Sequence, residues 1–103
     1  MREDGLSLVI RACYQLLGLI SFFTVGPDEV RAWTLRQGEK SVEAAGEIHS
    51  DLAKGFIRAE VIPWDALVEA GSFARARERA LVHVEGRDYV VREGDVLQIR
   101  FNV

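Results

Sequence analysis

Leu19-Ile-Ser-Phe-Phe-Thr-Val25, Gly26-Pro27-Asp28 and Val30-Arg-Ala-Trp-Thr-Leu-Arg36 follow one another closely along the chain. The two outer runs are rich in β-branched and aromatic residues, which suit a pleated, half-buried surface. The Gly-Pro-Asp between them is turn chemistry. The stretch therefore predicts a β-hairpin, ended by Gly38. Directly after it, Ser41 to Ile48 places Val42, Ala45 and Ile48 on one helical face. Ser41 is the expected N-cap, with Glu43 and Ala44 in the first turn. A hairpin followed at once by a short amphipathic helix is the start of a sheet with a helix laid across it.

The flanks extend that plan. A loop from His49 to Gly55 leads to a third strand, Phe56 to Ile62, where Ile57, Ala59 and Val61 alternate with Phe56, Arg58 and Glu60. Pro63 closes it, because proline has no amide hydrogen to extend a ladder. Trp64 to Ala70 reads as a helix ending at Gly71, and Ser72 as the cap of a second piece reaching about Ala80. Short strands are expected at Leu81 to Glu85 and Tyr89 to Val91, around Gly86-Arg87-Asp88. After a turn at Glu93-Gly94-Asp95, Val96 to Val103 forms the last strand, with Leu97, Ile99 and Phe101 alternating against Gln98, Arg100 and Asn102. Upstream, residues 5 to 17 read as a helix with Leu6, Val9, Ile10, Cys13, Leu16 and Leu17 on one face and Gly18 as its stop. The expected class is α+β: a β-grasp (ubiquitin-like) mixed sheet with a crossing helix, preceded by an N-terminal helix. The element order alone also admits neighbouring α+β folds.

Bulk composition narrows the function classes. At 103 residues the chain is long enough for one modest core. Its 49% hydrophobic and 28% charged residues are ordinary for a globular protein and argue against disorder. A net charge of -3 argues against strong, non-specific gripping of nucleic acid, so any RNA contact must use a local patch. No DNA partner is expected. Met1-Arg-Glu-Asp opens on charge, and the apolar run from Leu16 to Val25 is too short to span a bilayer. A cytoplasmic setting without membrane contact is the expectation. The single cysteine, Cys13, makes neither an internal disulfide nor a four-thiolate iron–sulfur site. It reads as a small buried hydrophobe; a redox-sensing role would require exposure and a lowered pKa.

Catalytic signatures are missing. There is no G-x-x-x-x-G-K-[ST] loop to cradle phosphates and no G-x-S-x-G elbow. His49 and His83 lack neighbours at metal-ligand spacing. His49-Ser50-Asp51 has the residue types of a hydrolytic triad, but triads are assembled across a fold, and the run reads as a helix exit or turn. Asp65 and Glu69 sit one helical turn apart on a solvated face, where neither carboxyl shifts the other enough to split into acid and base. No catalytic, cofactor-binding or metal-ligating residue is assigned.

The candidate binding residues are Arg58, Arg100, Gln98, Arg31 and Trp33. With the alternate apolar residues turned to the helix, Arg58, Gln98 and Arg100 share the opposite sheet face. Arg31 and Arg36 have opposite parities, so one of them joins that face, and Trp33 has the parity of Arg31. Such a face suits RNA through phosphate contact and base stacking, or a neighbouring protein domain, or a solvated surface with weak ion pairs. Arg75 and Arg79 fall together on a helix and Arg77 points away, which reads as a solvated helix diluted by Glu78.

Six ordered blocks carry a resemblance: Gly18-Leu-Ile-Ser-Phe-Phe-Thr24, Glu29-Val-Arg-Ala-Trp-Thr34, Ala44-Ala-Gly-Glu-Ile-His-Ser-Asp51, Gly55-Phe-Ile-Arg-Ala-Glu-Val-Ile62, Glu85-Gly-Arg-Asp-Tyr-Val-Val91 and Arg100-Phe-Asn-Val103. Together they resemble the C-terminal region of YchF-type, Obg-like ATPases. The resemblance implies a TGS-type β-grasp domain over residues 19 to 103, with residues 1 to 18 as a helical lead-in from an upstream P-loop domain. It implies a parent that binds ATP (or GTP) with Mg2+ and hydrolyses ATP at an upstream site absent from this chain. It also implies contact with the ribosome or RNA, packing against the upstream domain, and a link to redox regulation. This chain itself is then expected to be no enzyme and to hold no cofactor. Two positions depart from the family pattern: Pro63-Trp64 replaces Ala-Tyr, and Val82-His83-Val84 lacks the basic residue before Glu-Gly. The first is expected to alter packing and the second to weaken RNA contact there. A sulfur-carrier or ubiquitin-like modifier would need a C-terminal Gly-Gly, whereas this sequence ends in Asn102-Val103.

Overall fold

The computed structural model describes residues 5–26 and 29–102. Ten elements follow in order: α1 (Gly5–Leu16), β1 (Leu19–Val25), β2 (Val30–Arg36), α2 (Ser41–Ile48), α3 (Ser50–Lys54), β3 (Phe56–Pro63), α4 (Trp64–Ala70), α5 (Phe73–Glu78), β4 (His83–Glu85) and β5 (Asp95–Phe101). The strands form one five-stranded sheet in the order β2-β1-β5-β3-β4. β1 and β2 pair antiparallel from Leu19–Arg36 to Val25–Val30, which is the expected hairpin. Pro27 and Asp28 of its expected turn lie outside the described residues. β1 meets β5 in parallel through Phe23 and Val96, while β3 runs antiparallel to both β5 and β4. A central parallel pair flanked by antiparallel neighbours, with α2 against one face, is the β-grasp arrangement.

The sheet is covered on both faces, so strict alternation fails in its middle. On one face Ile20, Phe22, Leu35, Ala59, Val61 and Leu97 pack under Ala44 and Ala45 of α2. Phe22 is fully buried and its ring stacks on Trp33, with centroids 6.4 Å apart. On the other face Ile62 and Val96 pack under Ala70 of α4 and Ala76 of α5. Glu60, Val61 and Ile62 are therefore buried in succession. Ile57 departs from the expected pattern. A bulge between Phe56 and Arg58 puts Phe56 into the core and leaves Ile57 exposed. One extra residue inverts parity on its N-terminal side.

Several local expectations need correction. Lys40, not Ser41, is the N-cap of α2; its amide donates to Glu43 Oε1 at 3.0 Å. Ser41 is buried, and its hydroxyl donates to the Gly86 carbonyl at 2.5 Å and the Arg87 carbonyl at 3.2 Å. The hydroxyl thus pins the turn at Gly86 to the crossing helix. The expected loop after His49 holds α3, capped by His49 Nδ1, which accepts from the Asp51 amide at 3.0 Å. Tyr89 to Val91 is not a strand; Val90 makes a single bridge with Lys40. Tyr89 itself donates to Asp95 at 2.5 Å, and burial followed by that bond pushes its phenol well above the usual range.

Gly71 ends α4 in the left-handed conformation and Ser72 caps α5, both as read from the sequence. The Pro63-Trp64 departure has a packing consequence. Pro63 is the N-cap of α4, and the Trp64 ring lies over Gly94, where an added Cβ would sit 2.7 Å from Trp64 Cδ1. Gly94 is also held at φ 83°. No helix among the described residues is long and apolar enough to cross a membrane.

Candidate binding face

β3 and β5 place Arg58 directly opposite Arg100, and Glu60 directly opposite Gln98. These four side chains share the face that carries Ile62 and Val96, because residues two apart on a strand point the same way. The sequence-based grouping of Arg58, Gln98 and Arg100 is thus a true spatial group. Arg31 and Trp33 do not join it. They pair across β1 with Thr24 and Phe22, on the face covered by α2. There the Arg31 guanidinium lies 4.6 Å over the Trp33 ring, and Trp33 Nε1 donates to Thr24 Oγ1 at 2.9 Å. Arg36 has the parity of the Arg58 face, but stands on the outer strand β2 with β1 between.

The group has a member that sequence reading assigned to solvent. Arg77 of α5 reaches down to the sheet, contrary to the expectation that it points away. Its Nε and Nη2 donate to Glu60 Oε1 at 3.0 and 2.6 Å, and Nη2 also donates to Gln98 Oε1 at 2.7 Å. Arg100 Nε donates to Glu60 Oε2 at 3.4 Å. Glu60 is only 8% exposed, and burial raises its carboxyl. The bonds and charge of Arg77, followed by Arg100, outweigh that penalty and hold it below the ordinary carboxylate value. One signal for Arg77 was present: Glu60 is a carboxylate in a strand whose neighbours are apolar, and such a group needs a cation.

The electrostatic sum on this face is positive. Two guanidinium groups, Arg77 and Arg100, bind one carboxylate, and a third, Arg58, stands opposite Arg100 on the neighbouring strand. Glu60 is shared by Arg77 and Arg100, and among the described residues no carboxylate pairs with Arg58. Like charges directly opposite on adjacent strands are destabilising, so the Arg58–Arg100 pair is not there for the sheet's own stability. Exposed Arg58 and half-exposed Arg100 present donors whose fork matches phosphate and carboxylate oxygens.

Beside this face, α1 and α4 flank a cleft of about 750 Å3, lined by Ser7, Arg11 and Gln15 of α1, Phe23 of β1, and Leu67 and Val68 of α4.

Comparison with known proteins agrees with the geometry. A family model, YchF-GTPase_C, described as a protein of unknown function (DUF933), matches residues 19–102. The ribosome-binding ATPase YchF of Bacillus subtilis is 50% identical over 103 residues, covering 100% of this chain and 28% of that protein. Obg-like ATPase 1 of Gallus gallus is 46% identical over 102 residues, covering 99% of this chain and 26% of its own length. The structure of the Schizosaccharomyces pombe YchF GTPase superposes with a TM-score of 0.83 at 35% identity, over 95% of this chain and 26% of that one. A GTP-binding protein from Pyrococcus horikoshii, at 22% identity and a TM-score of 0.61, shares the fold. The chain thus spans little more than a quarter of the length of these relatives, and corresponds to their C-terminal part. By sequence and by fold, the chain belongs to the YchF-GTPase_C family.

Proposed function

We propose that this chain is the C-terminal, TGS-type binding module of a cytoplasmic, ribosome-associated ATPase, and that its contact with the ribosome runs through the face of Arg58 and Arg100. The observation that carries this reading is the surplus of guanidinium groups on an open part of the sheet, in a chain whose net charge is -3. Charge concentrated against the average of the chain suits a specific contact rather than general adhesion. The printed names of the relatives, ribosome-binding ATPase, support the choice of partner. Nucleotide chemistry is assigned to the part of the relatives outside this chain, since the sequence here holds no Walker loop.

On this reading Arg58 and Arg100 lie against RNA phosphates. Glu60 and Arg77 hold Arg100 in place and do not themselves touch the partner. The test is co-sedimentation of the full-length protein with ribosomes. The double variant Arg58→Glu and Arg100→Glu should bind at least about tenfold more weakly, and the wild type should lose affinity steeply with salt. Unchanged co-sedimentation at every salt concentration contradicts the RNA contact and favours a domain that docks only protein. The isolated chain should turn over no ATP above a heat-inactivated control.

A further inference from the structure

The sheet ends in two outer strands of different character. β4 is three residues long, so it offers little to an added strand. β2 is seven residues long and has neither proline nor bulge to protect its edge. Hydrogen-bond parity shows which of its backbone groups are open. The Gly26 amide donates to the Glu29 carbonyl at 2.8 Å, and the Gln37 amide to the Gly18 carbonyl at 2.8 Å. In an antiparallel ladder bonded pairs alternate, so Arg31, Trp33 and Leu35 turn their backbone groups to β1. Val30, Ala32, Thr34 and Arg36 turn theirs outward. Two bonds at Arg36 agree with this assignment. Its amide donates to Glu39 Oε1 at 3.2 Å, and its carbonyl accepts from the Glu39 amide at 3.2 Å. The loop after β2 thus closes that end of the edge. At Val30, Ala32 and Thr34 no hydrogen bond reaches the outward groups from any described residue, and all three residues are exposed.

We infer that this edge pairs antiparallel with the same edge of a second copy of the chain, about a twofold axis at Ala32. The strand is self-complementary in that register. Ala32 faces Ala32 of the second copy, and Val30 faces Thr34 of the second copy. All three open residues then become bonded pairs, giving about six hydrogen bonds between the copies. Between those pairs, Arg31 falls opposite Trp33 of the second copy. The Arg31 guanidinium already lies 4.6 Å over the Trp33 ring of its own chain, so the pairing adds a cation–π contact of a kind the strand makes by itself. Neighbouring registers are worse. A slip of two residues one way sets Arg31 against Arg31, and like charges directly opposite are destabilising. A slip the other way needs the backbone groups of Arg36, which Glu39 occupies. Any extended peptide could satisfy the open backbone, but the strand's own sequence also supplies an aromatic ring, and no cation, opposite Arg31. The second copy adds its sheet beyond β2, away from β5 and β3, so the arginine face stays open in the pair.

Disulfide trapping of the full-length protein tests the register, with each introduced cysteine the only one present. Ala32→Cys should cross-link to itself under mild oxidation, because bonded pairs stand about 5.5 Å apart at Cα, within disulfide reach. Thr34→Cys alone should cross-link at least about tenfold more slowly, since its symmetry mate lies roughly 13 Å along the strand. Mixing Val30→Cys protein with Thr34→Cys protein should restore the fast rate. Equal rates at positions 32 and 34 would mean random encounter and overturn the inference. Sedimentation equilibrium should show a monomer–dimer equilibrium that Ala32→Pro weakens at least about tenfold, because proline removes the central outward amide and leaves the β1 ladder its bonds. A protein that stays monomeric up to about 200 μM overturns the inference as well. Slow exchange of the Ala32 amide in that monomer would assign the edge to another part of the longer chain instead. If Ala32→Pro does not fold, the cross-linking pattern decides alone. Ribosome co-sedimentation tests the arginine face by a different readout, so each claim fails on its own.

Discussion

Two helices of this protein, α1 and α2, look alike in sequence and end up in opposite places. Each is short and amphipathic, and each has an apolar face that periodicity finds without difficulty. α2 lays Ala44 and Ala45 onto Phe22, Ala59 and Leu97, and both alanines are fully buried. α1 sets Ser7, Arg11 and Gln15 along the cleft against β1 and α4 and leaves its apolar stripe in the open. Amphipathicity shows which side of a helix suits an apolar partner. It does not show that the domain supplies one. The expectation that Cys13 is a small buried hydrophobe is not met, since Cys13 is exposed in this chain.

Substitutions separate the two cases by size. Phe22→Ala, beneath α2, opens a cavity in the core and should cost about 3–5 kcal/mol in denaturant unfolding. Gly94→Ala should cost on the order of 2 kcal/mol, because it adds a side chain at positive φ and crowds Trp64. Combining it with Trp64→Ala should recover the crowding part only, and a double-mutant cycle would show the coupling. Glu60→Gln removes the buried charge shared by two arginines and should cost about 1–3 kcal/mol at neutral pH. Its carboxyl is held below the ordinary value, so the stabilisation is fully present above the unfolded pKa, near about 4.3, and fades as pH falls through the lower folded value. The Gln variant should therefore lose less stability than wild type on acidification below about pH 4. Smallest of all, Leu16→Glu should change the stability of the isolated chain by no more than about 0.5 kcal/mol. A cost above about 2 kcal/mol there would mean that α1 packs on its own domain after all.

How far the fold was readable in the sequence depends on how many faces were covered. β1, β2 and α4 end where turn and cap chemistry said they would, and α2 covers the expected span with Lys40 rather than Ser41 as its cap. In the hairpin the alternation survives: Ile20 and Phe22 are buried with Leu35 on the same face, while Phe23 is only partly buried on the other. β3 is covered on both faces and contains a bulge, so its alternation was informative only from Ala59 to Val61. The candidate face was half legible for the same reason. Strand parity brings Arg58, Gln98 and Arg100 together, but the parity of β2 relative to β5 depends on the register through β1, which no local pattern encodes. Arg31 and Trp33 consequently fall on the α2 side. Arg77 was missed because helical spacing within α5 ranks it against Arg75 and Arg79 and takes no account of a buried carboxylate on β3.

One footprinting experiment tests the role of the arginine face most directly. The full-length protein would be treated with phenylglyoxal, with and without ribosomes, and modification read by mass spectrometry. Arg58 should become protected only when ribosomes are added. Arg58 indifferent to them would contradict the proposed contact.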